Sequence, residues 1–191
     1  MTKDRRRHPL RLAGAAVALA LATTGSAAAQ VSRTWFGPSV RVYPAGIVTE
    51  GVIEVPLGRG SWNAVLSGGY NGARRGHFGR HDDERGGGPG LALGLDRRLG
   101  PPSSGWLIGV RLDWWWLGID WTDRSPERRG HTSVRVLQPT ARAGYRWTVF
   151  GGRARLEGSL GVGAEINVRT NGEPVGQGAI GLVGVSLLWH P

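Results

Sequence analysis

One pattern near the C-terminus narrows the possible folds more than any other: a two-residue alternation carried through about fifteen residues from position 154 onward. Ala154, Leu156, Leu160, Val162, Ala164, Ile166 and Val168 fall on one parity, and Arg155, Glu157, Ser159, Gly161, Gly163, Glu165 and Asn167 on the other. Successive side chains of a β-strand point to opposite faces, so the pattern describes a strand with one apolar and one polar face. Strands of soluble sheets usually run about 5–6 residues; this one is long enough to cross a bilayer.

Seven further segments alternate in the same way. The first, 35–43, sets Phe36, Val40 and Val42 against Ser39 and Arg41, and the second, 49–57, sets Ile53, Val55 and Leu57 against Glu50 and Glu54. Trp62, Ala64, Leu66 and Tyr70 mark the third, and Leu91, Leu93 and Leu95, against Ala92 and Asp96, the fourth. The fifth places Trp106, Ile108, Val110, Leu112, Trp114 and Trp116 opposite Arg111, Asp113 and Trp115; the sixth places Leu137, Ala141, Ala143 and Tyr145 opposite Gln138, Thr140 and Arg142. The eighth ends Gly184-Val185-Ser186-Leu187-Leu188-Trp189. An even number of antiparallel strands can close on itself. The fold class read from this pattern is all-β, an eight-stranded antiparallel up-and-down transmembrane β-barrel.

The N-terminus supports a membrane address independently. Lys3, Arg5, Arg6, Arg7 and Arg11 precede an apolar stretch at 12–22 and the small residues Ser26-Ala27-Ala28-Ala29. These are the three parts of a secretory signal peptide, so residues 1–29 are expected to be cleaved and 30–191 to form the barrel. No cysteine occurs anywhere in the chain, which removes a lipoprotein anchor, disulfides and thiol chemistry. The formal charge of +10 includes five of the Lys+Arg and one Asp before Gln30, leaving +6 for the mature chain. Export and the absence of a recognition helix or RNA-binding motif argue against nucleic acid and toward anionic envelope lipid.

Connections alternate too. With a periplasmic N-terminus, links at 58–61, 100–105 and 148–152 are short turns, whereas 71–89 and 123–132 are long, charged and suited to external loops. The links at 44–48 and 169–176 are shorter. Three features place the apolar face outside. Tyr43, Trp62, Tyr70, Trp106, Trp116, Tyr145, Trp147 and Trp189 gather near strand ends, where interfacial girdles lie. The polar face carries both signs: Arg41, Arg111, Arg142 and Arg155 with Glu54, Asp96, Asp113, Glu157 and Glu165, a set that can pair across a narrow lumen. Glycine and serine on that face leave room for these long side chains. A soluble periplasmic, lipocalin-like barrel with its apolar face inside around a ligand is the inverted alternative. Pro139 lies inside the sixth strand, where a bulge would accommodate its missing N–H.

The closing segment 184–189, a glycine followed by apolar residues two apart and a terminal aromatic, resembles the last strand of bacterial outer-membrane barrels. Nearly all of the mature chain resembles the OmpX-like and OmpA-transmembrane-domain-like group of small outer-membrane β-barrel proteins. The resemblance implies residence in the outer membrane of a Gram-negative bacterium after export through the inner membrane. It also implies contact with outer-membrane lipid and lipopolysaccharide, and insertion by the outer-membrane assembly machinery through the C-terminal strand. Eight strands enclose only enough space for their own side chains, which disfavours a diffusion pore.

Three local motifs bear on chemistry. The segment 77–84 holds His77, His81, Asp82, Asp83 and Glu84, but Arg74, Arg75, Arg80 and Arg85 oppose a cation, and no metal or other cofactor is expected. Gly86-Gly87-Gly88-Pro89-Gly90 lacks the Gly-Lys-Ser/Thr of a phosphate-binding loop and leads into a strand. His131-Thr132-Ser133 puts an imidazole and a hydroxyl on one strand face, and loosely resembles the His-x-Ser element of outer-membrane lipid A deacylases. The residues flanking it differ from that motif, and Glu165 or Glu157 is the candidate third member. The functional expectation is a non-enzymatic structural or surface-interaction protein, with a lipid A-modifying hydrolase as the alternative. Its expected contact residues are Arg74, Arg75, His77, Arg80 and His81, with Arg128 and Arg129.

Overall fold

The computed structural model describes residues 34–58, 60–101 and 104–190, apart from the side chain of His77. The expected signal peptide and its cleavage point lie outside the described residues. Eight antiparallel strands form a closed up-and-down barrel: β1 (Trp35–Tyr43), β2 (Gly46–Pro56), β3 (Trp62–Arg74), β4 (Asp83–Leu99), β5 (Ser104–Arg124), β6 (Glu127–Val149), β7 (Ala154–Asn171) and β8 (Gly178–Trp189). Each strand pairs with its neighbours in sequence, and β8 returns to β1 with Phe36 opposite Trp189 and Ser39 opposite Ser186.

The alternation resolves as outside and inside. Leu91, Leu93, Val110, Leu112, Leu160, Val162, Val183 and Val185 all face outward and are exposed, while the intervening residues turn inward. On β5 the outward apolar run lasts from Trp106 to Trp116. Ten steps of about 3.4 Å, tilted by about 40°, give a belt about 26 Å tall, close to the height of a bilayer's hydrocarbon layer. Aromatic rings edge it. Trp106, Tyr145 and Trp147 form one cluster at the end where the chain termini meet, with centroids 5.3 and 4.9 Å apart, and Trp114 and Trp116 lie at the other.

Four local expectations need correction. The long links shrink to 75–82 and to Ser125-Pro126, because β3, β4, β5 and β6 continue as paired strands beyond the apolar belt. There both outer face and loop ends meet water, so a polar composition does not mark the end of a ladder. Tyr43 points inward, not into a girdle, and its hydroxyl donates to Asn71 Oδ1 at 2.9 Å. Pro139 faces outward opposite Leu112 with no bulge beside it: the β6–β7 register is the same before and after, and only the rungs at 138 and 139 are missing. The bulge lies at Arg135/Val136. The lumen, finally, is not charged throughout. Trp115, Leu117, Ile119, Trp121, Val134, Val136, Val175 and Leu182 form an apolar plug toward the mouth opposite the chain termini, and a smaller cluster, Trp35, Val52, Val65 and Leu188, lies among the charges near the termini, with Trp35 opposite Glu54 and Leu188 opposite Arg155.

Candidate functional site

Inward parity brings the predicted charged residues together in layers. Nearest the end with the chain termini, Arg142 binds Asp96 at 2.6 Å and Glu157 at 2.8 Å, Arg146 binds Glu54 at 2.5 Å and Glu157 at 2.7 Å, and Arg155 reaches Glu54 at 3.3 Å. Arg155 also lies over the Trp35 ring. In the middle, Arg41 and Arg111 alternate with Glu50 and Asp113 in a closed square: Arg41–Glu50 3.2 Å, Arg41–Asp113 2.5 Å, Arg111–Glu50 2.5 Å and Arg111–Asp113 3.0 Å. Ser67 donates to Glu50 at 3.0 Å. Both layers balance their charges. Arg146 and Glu50 complete these networks although neither belongs to the set expected from sequence; Arg146 shares its parity with Arg142, which is the signal that identifies it.

A third layer closes the opposite mouth. Trp115 Nε1 donates to Gln138, Gln138 donates to Glu165 at 2.9 Å, and Arg75 bridges Glu165 and Glu84. Glu84 has no exposed surface and gathers the adjoining loops: it accepts from the N–H groups of Arg80 at 2.7 Å, His81 at 3.2 Å and Gly176 at 3.1 Å. Above this, the His81 ring stacks on Trp121 with centroids 4.0 Å apart, and its Nδ1 lies 3.1 Å from Asp123. Trp121 donates to Thr132, whose hydroxyl donates to the Glu173 carbonyl. Asp123 also accepts from Arg128 at 2.9 Å. Partial desolvation pushes the Asp123 carboxyl up, but hydrogen bonds from His81, Arg128 and the Asp82 N–H outweigh it and hold the group below its ordinary value. The segment between β3 and β4 is therefore a lid tied to the lumen.

This changes the role of two expected contact residues. Arg75 and His81 are buried, because each answers a carboxylate at the mouth, and neither is available to a partner. Arg74, Arg80, Arg128 and Arg129 are exposed. Of these, Arg128 pairs with Asp123 and Glu173, and Arg129 with Glu127. His77 falls in the 3-10 turn Gly76–Phe78, and its side chain lies outside what the structure describes.

The His-x-Ser element lies on the outer wall of β6. His131 and Ser133 both point outward, whereas Glu157 and Glu165 are locked in the lumen on the other side of the wall and cannot orient the ring. A different carboxylate does so: His131 Nδ1 lies 2.7 Å from Asp120, its ladder partner on β5. The ring lies over Gly118, where an added Cβ would stand 3.1 Å from Cε1 and 3.5 Å from Nε2, and Gly118 is the ladder partner of Ser133. No hydrogen bond joins Ser133 to the ring among the described residues.

No family model matches the sequence, and no curated protein matches it. Two solved structures do. The crystal structure of Neisserial surface protein A is 8% identical with a TM-score of 0.55, over 83% of this chain and 96% of that one. The N-terminal β-barrel domain of Pseudomonas aeruginosa OprF is 16% identical with a TM-score of 0.47, over 82% and 96%. At 8% identity the likeness to the Neisserial protein is one of fold, and the fold of this chain is the eight-stranded antiparallel up-and-down barrel that the alternation of the sequence describes.

Proposed function

We propose that the protein is a non-enzymatic outer-membrane barrel of a Gram-negative envelope, with a structural or surface-interaction role carried by its projecting mouth. The observation that carries this reading is the inside-out distribution of side chains. A continuous apolar belt faces outward while Glu54, Asp96 and Asp113 are enclosed with their arginines. In water such a surface would aggregate; against lipid it is the favourable arrangement. Filled layers of side chains block the lumen, which supports an anchoring or recognition role over conduction. The same distribution counts against the soluble lipocalin-like alternative, whose ligand cavity would need an apolar lining in the space these ion pairs fill. Exposed Arg74 at the end of β3 and Arg80 on the lid, with Arg128 and Arg129 on the β5–β6 tip, form the surface offered to lipopolysaccharide or an outside partner. Contact with the assembly machinery through β8 belongs to the same proposal.

Refolding from urea with and without detergent micelles tests it. The expected result is β-sheet circular dichroism only with detergent, and a gel band that shifts on boiling. A folded monomer in plain buffer would refute membrane residence. Surface binding is tested by substituting Arg74 and Arg80 with glutamine, which leaves the lid's anchors in place; unchanged binding to lipopolysaccharide would remove these residues from the role.

A second reading has one observation in its favour, the Asp120–His131 pair beside Ser133. That order of carboxylate, imidazole and hydroxyl is the arrangement by which a base takes a serine proton as the oxygen attacks an ester carbonyl. The pair lies on the outer wall beyond Trp116, the last ring of the belt, so an ester-linked lipid would have to rise to the headgroup level to meet it. Release of fatty acid from such lipid by the wild type, lost in Ser133→Ala, would establish the hydrolase; equal release from both would dismiss it.

A further inference from the structure

We infer that the outer wall between β5, β6 and β7 holds a phosphate-bearing lipid by its headgroup, through Arg135 and Arg169. This rests on the membrane reading above and adds a specific ligand class. Arg135 and Arg169 are direct ladder partners on the outer face, both exposed, and neither forms an ion pair among the described residues. Like charges directly opposite one another destabilise a sheet, so an arrangement that sets two guanidinium groups side by side calls for an anion between them.

The backbone builds this pair. Along β7 the odd positions up to Glu165 face the lumen, and an uninterrupted ladder would send Arg169 there as well. The bulge at Arg135/Val136 shifts the register by one residue, so that Arg169 and Asn171 turn outward beside Arg135 and Ser133. These four line a depression of about 370 Å³ with Trp116 and Gly118, and the His131 ring covers Gly118.

Height selects the ligand. Arg135 is the ladder partner of Trp116, the last ring of the outward apolar run, so the pair lies where hydrocarbon gives way to headgroups. Below it the outer wall carries a larger apolar groove of about 600 Å³, lined by Leu93, Leu112, Pro139, Ala141 and Val162. Pro139 is four strand steps from Arg135, about 13 Å. A lipid whose phosphate sits between the arginines can lay an acyl chain along that groove, and a free phosphate cannot.

The test uses the full chain in detergent and native mass spectrometry with phosphatidic acid, diacylglycerol and inorganic phosphate as separate probes. The wild type should bind phosphatidic acid about tenfold or more tighter than diacylglycerol, from charge-assisted hydrogen bonds to two arginines. Arg135→Gln with Arg169→Gln should remove that preference, and the double lysine variant should retain part of it. The glutamine variant should also keep its heat-modifiable band and unfold at an equal or higher urea concentration, since repulsion is relieved. Unchanged preference in the glutamine variant overturns the inference, as does inorganic phosphate binding as tightly as phosphatidic acid. Folding without detergent would instead overturn the membrane reading itself.

Discussion

Arg41→Ala is the sharpest probe of whether the middle lumen layer is a dry, enclosed network. Arg41 donates from Nε and Nη2 to Glu50 at 3.2 and 3.3 Å and from Nη2 to Asp113 at 2.5 Å, and its side chain and both carboxylates are almost completely enclosed. Removing it leaves two carboxylates facing the single charge of Arg111. A pair about 4 Å apart at an effective dielectric of about 20 interacts by about 4 kcal/mol, and Arg41 makes two such contacts. Its own desolvation offsets part of that, so the expected net loss is about 3–5 kcal/mol, the usual cost of leaving a buried charge uncompensated. With a urea slope of about 2 kcal/mol per molar, the unfolding midpoint in detergent should fall by about 2 M. The charge-balanced double variant Arg41→Gln, Asp113→Asn should recover part of the loss, with a coupling of about 1–3 kcal/mol in the double-mutant cycle. A loss below about 1 kcal/mol for Arg41→Ala, with no coupling, is what exposed pairs give. That result would mean water fills this layer, and the account of the lumen as a closed network would be wrong.

Two further outcomes concern the mouth. Glu84→Ala removes the acceptor shared by Arg75, Arg80, His81 and Gly176. It should speed tryptic cleavage at Arg80 by about tenfold or more while the heat-modifiable band persists, since the loss of about 3–5 kcal/mol is local to the lid; an unchanged cleavage rate would show that the lid does not depend on this anchor. Acid should act through Asp123, whose carboxyl is held below its ordinary value by the balance already described. A depressed carboxylate contributes stability that is fully present above its unfolded value of about 3.9 and lost as the pH falls through the lower folded value. Tryptophan fluorescence should therefore change below about pH 4 in the wild type, and this component should be absent in Asp123→Asn. A change confined to pH 5–7 would assign it to another group.

Strand number, antiparallel order and the polarity of each face were legible because burial on one side of a strand writes a period of two into the sequence. Leu91, Leu93 and Leu95 against Ala92 and Asp96 needed nothing else. The paired segments beyond the belt were not legible, because that signal vanishes where the outer face meets water. At Asp120, Thr122 and Arg124 only the inward residues Ile119 and Trp121 still alternate with polar ones, and charge density there reads as loop. For the same reason Arg75 and His81 could not be told from Arg74 and Arg80: their burial depends on Glu84, Glu165 and Asp123, which the fold brings to them from other strands.

The register shift at Arg135/Val136 carries the largest consequence. Strict alternation assigns Arg169 to the lumen, where Val134 and Val136 are apolar and the mouth carboxylates Glu84 and Glu165 are already engaged by Arg75. An unpaired guanidinium buried there would cost several kcal/mol. The bulge removes that conflict by turning one residue out of phase, and in doing so brings Arg169 beside Arg135 at the level of Trp116. A substitution that straightened the ladder would thus be expected to do two things together, destabilise the plug and abolish the outward basic pair. The apolar plug and the lipid-facing arginines are in this sense two sides of one backbone irregularity.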